Sequence, residues 1–127
     1  MACAVSSACL PRCAETDEVP RARLRDPGVR ARGAQLYRED CALCHGENAD
    51  GRGARSMGLD RKPANFTDPV WSRPESAGRA FQAISEGVPG SAMPAWSAAL
   101  GVDDRWALVA YLTAVSEHGS AASSRDR

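Results

Sequence analysis

The strongest constraint on this chain is a run of five residues, Cys41 to His45, which reads C-x-x-C-H. Two thiols three positions apart lie on one turn of backbone, where both can bond covalently to the two vinyl-derived arms of one porphyrin. The histidine that follows then falls beneath the iron and can be its proximal ligand. The motif therefore predicts one covalently attached haem c, held by Cys41 and Cys44 and ligated by His45.

A C-x-x-C pair can also form a redox dithiol or half of a zinc site. A zinc site needs further ligands, but no cysteine follows Cys44, and His118 is the only later histidine. A thioredoxin-like dithiol requires a preceding strand within a βαβ pattern, and no such pattern is visible in the sequence. The residues that flank the motif favour haem.

Size and charge limit the classes of protein that fit. With 127 residues the chain has room for one domain. Its 16 basic and 16 acidic residues balance, so the composition gives no sign of nucleic-acid binding. No segment is long and apolar enough to predict a transmembrane helix. Aromatic residues make up only 6% of the chain, and a buried porphyrin would add apolar surface on which short helices can pack.

The chain divides into three parts by composition. Residues 1–25 are interpreted as a leader and linker, residues 26–118 as the folded domain, and residues 119–127 as a disordered tail. The first ten residues are small and apolar but lack the basic region of a complete signal peptide. Because covalent haem attachment implies export in bacteria, they are interpreted as the end of a longer export signal.

The leader also contains three cysteines, Cys3, Cys9 and Cys13. Small residues before Cys9 weakly resemble a lipoprotein cleavage site, although the usual leucine is missing. An intramolecular disulfide among the three thiols is a second alternative, with one thiol left over. A leader without function in the mature protein is the third.

Apolar periodicity predicts an all-α fold with three main helices. The first is expected over residues 27–40, because Asp26 is a good N-cap and Pro27 suits the first helical position. Its apolar face includes Gly33 and Tyr37. A glycine on an apolar helix face indicates close approach by another helix.

The second helix is predicted to start near Ser72, where Ser72 and Glu75 match a capping box, and to end before Gly87. The last helix is predicted from about Val102 to Glu117. No alternating pattern is long enough to predict a sheet.

Met93 is the predicted second axial ligand of the iron. A thioether is a soft ligand that suits haem iron and raises its reduction potential. Met93 lies in a loop between the second and third helices, with Pro94 to stiffen it. Met57, in a glycine-rich segment without a rigid neighbour, is one rival. His118, at the end of the last helix, is another and is more typical of a solvated surface histidine.

Five segments occur in the order "GAQLY", "CALCHG", "KPANFTDP", "ISEGVPGSAMPAW" and "DRWALVAYL", and lie within residues 29–117. Together they resemble a class I c-type cytochrome of the small bacterial type that includes the cbb3-oxidase subunit III-like domain. The resemblance implies three main helices around one covalent haem, with long loops. It packs Gly33 and Tyr37 against the last helix, at Leu108 and Tyr111. It also makes the carbonyl of Pro63 the hydrogen-bond acceptor of the proximal histidine.

The resemblance further implies an electron carrier rather than an enzyme, because two strong axial ligands leave no open position on the iron. Its partners would be a donor such as a quinol-oxidising complex or dehydrogenase, and an acceptor such as a terminal oxidase. A monomer is expected in the periplasm or on the outer face of the cytoplasmic membrane, with a lipid tether as an alternative. Two other functions stay open: a haem subunit of a larger dehydrogenase or oxidase, and a haem-based enzyme or ligand sensor with an open sixth site.

Overall fold

The computed structural model describes residues 18–125, with side chains as far as residue 121. Over this range the regular structure is entirely helical, which confirms the predicted all-α class. The α-helices are α1, Pro27–Asp40; α2, Ala42–His45; α3, Ser76–Glu86; and α4, Val102–Arg125. Short 3-10 helices cover Arg23–Arg25, Ser56–Gly58 and Pro69–Ser72.

The first long helix, α1, has the bounds predicted from its N-terminal signals. The side chain of Asp26 accepts a hydrogen bond from the backbone N–H of Val29 at 3.0 Å, and Pro27 occupies the first turn. The cap satisfies one of the N–H groups that a helix start leaves without an intrahelical partner.

Helices α1 and α4 pack closely, and Gly33 makes this approach possible. A Cβ atom at Gly33 would overlap the backbone carbonyl of Ala107 and lie 2.9 Å from the Cβ of Tyr111. The rings of Tyr37 and Tyr111 are 5.1 Å apart between centroids. The predicted close approach at Gly33 and the predicted contact with Tyr111 are therefore confirmed, and the atoms nearest to Gly33 belong to Ala107 rather than to the predicted Leu108.

The segment before α1 belongs to the folded domain, and its expected role as a linker up to residue 25 is wrong over residues 19–25. Leu24 is buried in the core, and its carbonyl accepts a hydrogen bond from Arg30 Nε at 2.7 Å. Arg23 forms an ion pair with Asp103 at 2.7 Å. The segment is mainly basic, so its composition does not reveal that the Leu24 side chain packs in the core.

Helix α3 begins at Ser76 rather than near Ser72. A proline disfavours helical backbone at the residue before it, and Arg73, which precedes Pro74, is extended with φ −70° and ψ 144°. Ser72 instead ends a 3-10 helix, and the Glu75 side chain makes no cap hydrogen bond. The predicted capping box is therefore wrong.

Helix α4 continues to Arg125, so the predicted disordered tail from Gly119 is wrong up to that residue. The hydroxyl of Ser116 donates to the carbonyl of Asp68 at 2.6 Å. At Gly119 the helix lies so close to Thr67 that a Cβ atom would overlap the Thr67 carbonyl. Helix α4 therefore packs against residues 67–68, and this contact extends beyond its predicted end.

The cysteines Cys3, Cys9 and Cys13 lie outside the described residues, and their three alternatives stay predictions. Among residues 18–125, no helix combines the length and the apolar character needed to cross a membrane.

Candidate haem-binding site

A cavity of about 530 Å³ lies among α2, the loop after it, α3 and the loop between α3 and α4. This volume falls within the about 300–1,000 Å³ that is typical of ligand and cofactor pockets. Its walls are mainly apolar and include Leu59, Phe66, Trp71, Ile84, Trp96 and Leu112. The cavity also brings together Cys41, Cys44, His45 and Met93 from separate parts of the chain.

The motif folds as a single helical turn directly after α1. The N–H of Cys41 donates to the Tyr37 carbonyl at 2.9 Å, and the N–H of His45 donates to the Cys41 carbonyl at 2.9 Å. Both Cys41 and Cys44 are free and half-buried. The turn therefore presents two thiols and one imidazole to the same cavity.

The zinc alternative finds no support in this geometry. No group of three or more His, Cys, Asp or Glu residues in the described part of the chain could hold a metal ion. Burial, followed by the charge of Asp40, raises the pKa of Cys41 to about 12.

His45 is held by a hydrogen bond from its ring to the backbone. Nδ1 lies 3.2 Å from the carbonyl oxygen of Ala64. Because a carbonyl can only accept, Nδ1 carries the proton and Nε2 keeps its lone pair. Burial lowers the pKa of His45, although the bond to Ala64 opposes this shift. The imidazole is therefore neutral and oriented, as an iron ligand must be.

The acceptor in this hydrogen bond is Ala64, and the predicted role of the Pro63 carbonyl is wrong. The Pro63 carbonyl lies beside Gly51, where a Cβ atom would be 2.7 Å from its oxygen. Successive carbonyls of a non-helical segment point in different directions, so only one of the two can meet the imidazole. Pro63 also lines the cavity.

Two glycines hold the loop after α2 against the motif. The N–H of Gly51 donates to the His45 carbonyl at 2.7 Å, and the N–H of Gly53 donates to the Cys44 carbonyl at 3.1 Å. Gly51 has φ +81°, and a Cβ at Gly53 would overlap the Leu43 carbonyl. Both positions therefore require glycine. Their signal in the sequence is the glycine-rich composition of the loop after His45, which does not show which of its glycines the fold requires.

Aromatic side chains form a wall behind the histidine. The Phe66 ring lies 4.8 Å from the His45 ring at an interplanar angle of 34°. Trp71 meets Phe66 edge-on with centroids 5.0 Å apart. Phe66 is buried, and both aromatic residues line the cavity. The sequence did not single out either residue, because an isolated aromatic in a proline-containing loop carries no periodic signal.

Of the three predicted candidates for the second ligand, Met93 lines the cavity. Met93 is half-buried, and the carbonyl of Met93 accepts a hydrogen bond from Val88 N–H at 3.2 Å. Met57, in contrast, is 89% exposed, and His118 is also exposed. Neither rival lines the cavity.

These residues fit a covalently attached haem. Two thiols, a neutral imidazole with a free Nε2 lone pair and a thioether line one cavity whose remaining walls are mainly apolar. This donor set suits iron in a porphyrin, for which imidazole and thioether are established axial ligands.

Comparison with known proteins finds similarity to subunits of cbb3-type cytochrome c oxidases. A family model described as cytochrome C oxidase, cbb3-type, subunit III matches residues 29–112. The Cbb3-type cytochrome c oxidase subunit FixP of Azorhizobium caulinodans is 33% identical over 87 residues, which cover 68% of this chain and 27% of that protein. Subunit CcoP of Cereibacter sphaeroides is 31% identical over 87 residues, covering 68% of this chain and 28% of that protein.

A solved structure, the Kuenenia stuttgartiensis reducing HAO-like protein complex, has a chain that matches with a TM-score of 0.58 and 33% identity. The match covers 70% of this chain and 43% of that chain. In all three cases, this chain spans less than half the length of the protein that it matches.

Proposed function

The chain belongs to the cbb3-type cytochrome c oxidase subunit III family of c-type cytochromes, and on that premise we propose that it carries one covalent haem c and transfers single electrons. The observation that carries this proposal is the meeting of Cys41, Cys44, His45 and Met93 at one mainly apolar cavity. When bound, the haem supplies one-electron exchange between the ferrous and ferric states of its iron.

In this proposal, Cys41 and Cys44 form the two thioether links, and His45 is the proximal iron ligand. The hydrogen bond from Nδ1 to the Ala64 carbonyl fixes the ring and increases the basicity of Nε2. The buried ring of Phe66 keeps water away from the imidazole. Burial of this kind favours the less charged ferrous state and so raises the reduction potential.

Met93 is proposed as the second axial ligand. Two observations support this proposal. Met93 lines the cavity, whereas its rivals Met57 and His118 are exposed and do not line it. With both axial positions taken by protein ligands, no coordination site is free for a substrate. The protein is therefore proposed to carry electrons rather than to catalyse bond chemistry, and the alternative of an enzyme or sensor requires Met93 to be displaced.

Partners and location are proposed from the family. The electron donor would be a quinol-oxidising complex or dehydrogenase, and the acceptor a terminal oxidase. The domain would act in the periplasm or on the outer face of the cytoplasmic membrane, as a monomer, with a lipid tether as the alternative for its attachment. Transient docking of this kind needs only a small interface.

A second candidate function is a haem subunit within a larger oxidase or dehydrogenase. It is favoured by the relatives FixP and CcoP, which are subunits of cbb3-type cytochrome c oxidases. The haem chemistry is the same, but the partner is permanent. Native gel electrophoresis of solubilised membranes separates the two: a free carrier migrates as a small protein, and a subunit comigrates with the complex.

The first test is the optical spectrum of protein expressed with the c-type haem maturation machinery. The ferric form should show the weak far-red band of sulfur-to-iron charge transfer, and Met93→Ala should abolish it. Met57→Ala is the matched control and should leave the band unchanged, because Met57 is exposed. A high-spin ferric spectrum without the band in the wild-type protein would contradict the proposal and favour an open-site enzyme or sensor.

A further inference from the structure

Arg105, in the first turns of α4, is a buried cation surrounded by neutral partners. Only 9% of its surface is exposed, and within the described residues it forms no ion pair. Its Nε donates to the carbonyls of Leu100 and Gly101 at 3.1 and 3.4 Å, and its Nη1 donates to the Ser85 hydroxyl at 2.6 Å. Its guanidinium carbon lies 5.1 Å from the centre of the Phe81 ring. Burying a charge costs free energy unless the charged group is hydrogen-bonded, so these contacts allow the Arg105 guanidinium to be buried.

The segment that Arg105 contacts is the one that carries Met93. We call residues 87–100, between α3 and α4, the methionine loop. Within it, the Ser91 hydroxyl accepts from the N–H of Met93 at 3.2 Å, and the Met93 carbonyl accepts from Val88 N–H at 3.2 Å. The loop is joined to the last turn of α3 by Trp96 N–H, which donates to the Ile84 carbonyl at 2.9 Å. Met93 is thus hydrogen-bonded within the loop, and the loop is held to α3 at Trp96.

Arg105 joins the two elements on either side of this loop. Leu100 is the last residue of the methionine loop, and Ser85 lies in the last turn of α3. The carbonyl of Ser85 also accepts a hydrogen bond from Ser97 N–H at 3.3 Å. One guanidinium therefore fixes the end of the loop against the helix from which the loop departs.

We propose that Arg105 is a positioning residue that holds the methionine loop against α3 and so keeps Met93 at the iron. This inference rests on the proposed function, in which Met93 is the second axial ligand. Arg105 does not line the cavity and acts only through the loop. The planar guanidinium suits this task, because its fork of N–H groups can reach several acceptors at once.

The test is competition by imidazole for the position of Met93 in the ferric protein, followed as loss of the far-red band. Arg105→Met should lower the imidazole concentration at half-displacement by about tenfold, because several charge-assisted hydrogen bonds to the loop and α3 are lost. Arg105→Lys retains the charge but not the fork, and should give an intermediate shift. Arg79→Met is the charge control: Arg79 lies on α3, is exposed, and has no hydrogen bond or ion pair among the described residues.

A second control separates positioning from general stability. Ser116→Ala removes a buried hydroxyl bonded to the Asp68 carbonyl, on a contact that does not involve the methionine loop. It should lower the midpoint of chemical unfolding without changing the half-displacement concentration. If Arg105→Met does not fold, Ser85→Ala removes one acceptor of the guanidinium and should lower that concentration by about threefold.

The outcomes separate the positioning role of Arg105 from iron ligation by Met93. Easier displacement in Arg105→Met or Ser85→Ala, with no change in Arg79→Met, supports the positioning role. Unchanged displacement in the folded variants, or an equal change in Ser116→Ala, overturns it while leaving axial ligation by Met93 intact. A wild-type ferric spectrum that lacks the far-red band overturns the proposed function itself.

Discussion

The hydroxyl of Tyr37 donates a hydrogen bond to the carbonyl of Gly46 at 2.6 Å and thereby ties α1 to the residue that follows the proposed proximal histidine. Tyr37 is only 1% exposed. A buried carbonyl that loses its donor pays the cost of desolvation without compensation. The Tyr37 side chain therefore links the packing of α1 and α4 to the geometry of the haem-binding turn.

The first prediction concerns this hydrogen bond. Tyr37→Phe keeps the ring but leaves the Gly46 carbonyl without its donor, so the free energy of unfolding should fall by about 1–3 kcal/mol. Denaturation of the holoprotein in guanidinium chloride measures it. Tyr111→Phe is the matched control, because the Tyr111 hydroxyl has no hydrogen-bond partner among the described residues. Equal losses in the two variants would show that the hydrogen bond does not contribute.

Tyr37 should also make the folded protein less stable at alkaline pH. Burial raises the pKa of Tyr37 above its ordinary value of 10, so the folded state holds the neutral phenol while the unfolded chain ionises. Below pH 10 the group is protonated in both states and contributes no pH dependence. As the pH rises above 10, the unfolded state loses its proton first, and the free energy of unfolding falls by up to about 1.4 kcal/mol per pH unit.

Unfolding curves of the wild type and Tyr37→Phe, recorded at intervals from pH 8 to pH 11, measure this contribution. The wild type should lose more stability than the variant over the upper part of the range. Parallel curves for the two proteins would show that another group is responsible.

Local signals in the sequence predicted the parts of the fold that depend on neighbouring residues. Asp26 and Pro27 determine the start of α1, and Gly33 indicates the contact with α4. Met93 was distinguished from Met57 by its stiff Gly/Pro loop, and the structure does bring Met93 to the cavity. The start of α1 and the contact at Gly33 could be predicted because each depends on one residue type in one backbone setting, whereas iron ligation by Met93 stays a prediction.

The failures have a different physical origin. The capping box failed because Pro74 makes Arg73 extended, which outweighs the side-chain pattern around it. The assignment of Pro63 failed because a proline ring fixes its own φ but leaves ψ open, and ψ determines the direction of the Pro63 carbonyl. The predicted domain bounds exclude Leu24 and Gly119 because the burial of Leu24 and the contact of Gly119 with Thr67 depend on residues distant in sequence.

Phe66 should influence the iron through the proximal histidine. Phe66→Leu removes the ring that packs on His45 and should cost about 0.5–1.5 kcal/mol beyond the lost apolar area. Water would then approach the imidazole and favour the more charged ferric state, so the reduction potential should fall. A redox titration with optical detection measures it. Trp71→Phe is the control, since Trp71 packs on Phe66 rather than on His45; a larger fall there would contradict the assignment.

The last prediction tests the contact between α1 and α4. Alanine is intrinsically better than glycine inside a helix by about 1 kcal/mol, so Gly33→Ala should stabilise the protein if propensity alone mattered. Instead, its Cβ would overlap the Ala107 carbonyl, and the two helices would have to separate. We expect a net loss of at least about 2 kcal/mol in the free energy of unfolding.

Gly58→Ala is the control for this prediction. A Cβ at Gly58 meets no atom within 4 Å, so this variant should change the free energy of unfolding by less than about 0.5 kcal/mol. Because the backbone carbonyl cannot be removed by substitution, Tyr111→Ala should recover little of the loss. A neutral or stabilised Gly33→Ala protein would show that α4 can shift without cost and that this glycine does not set the helix separation.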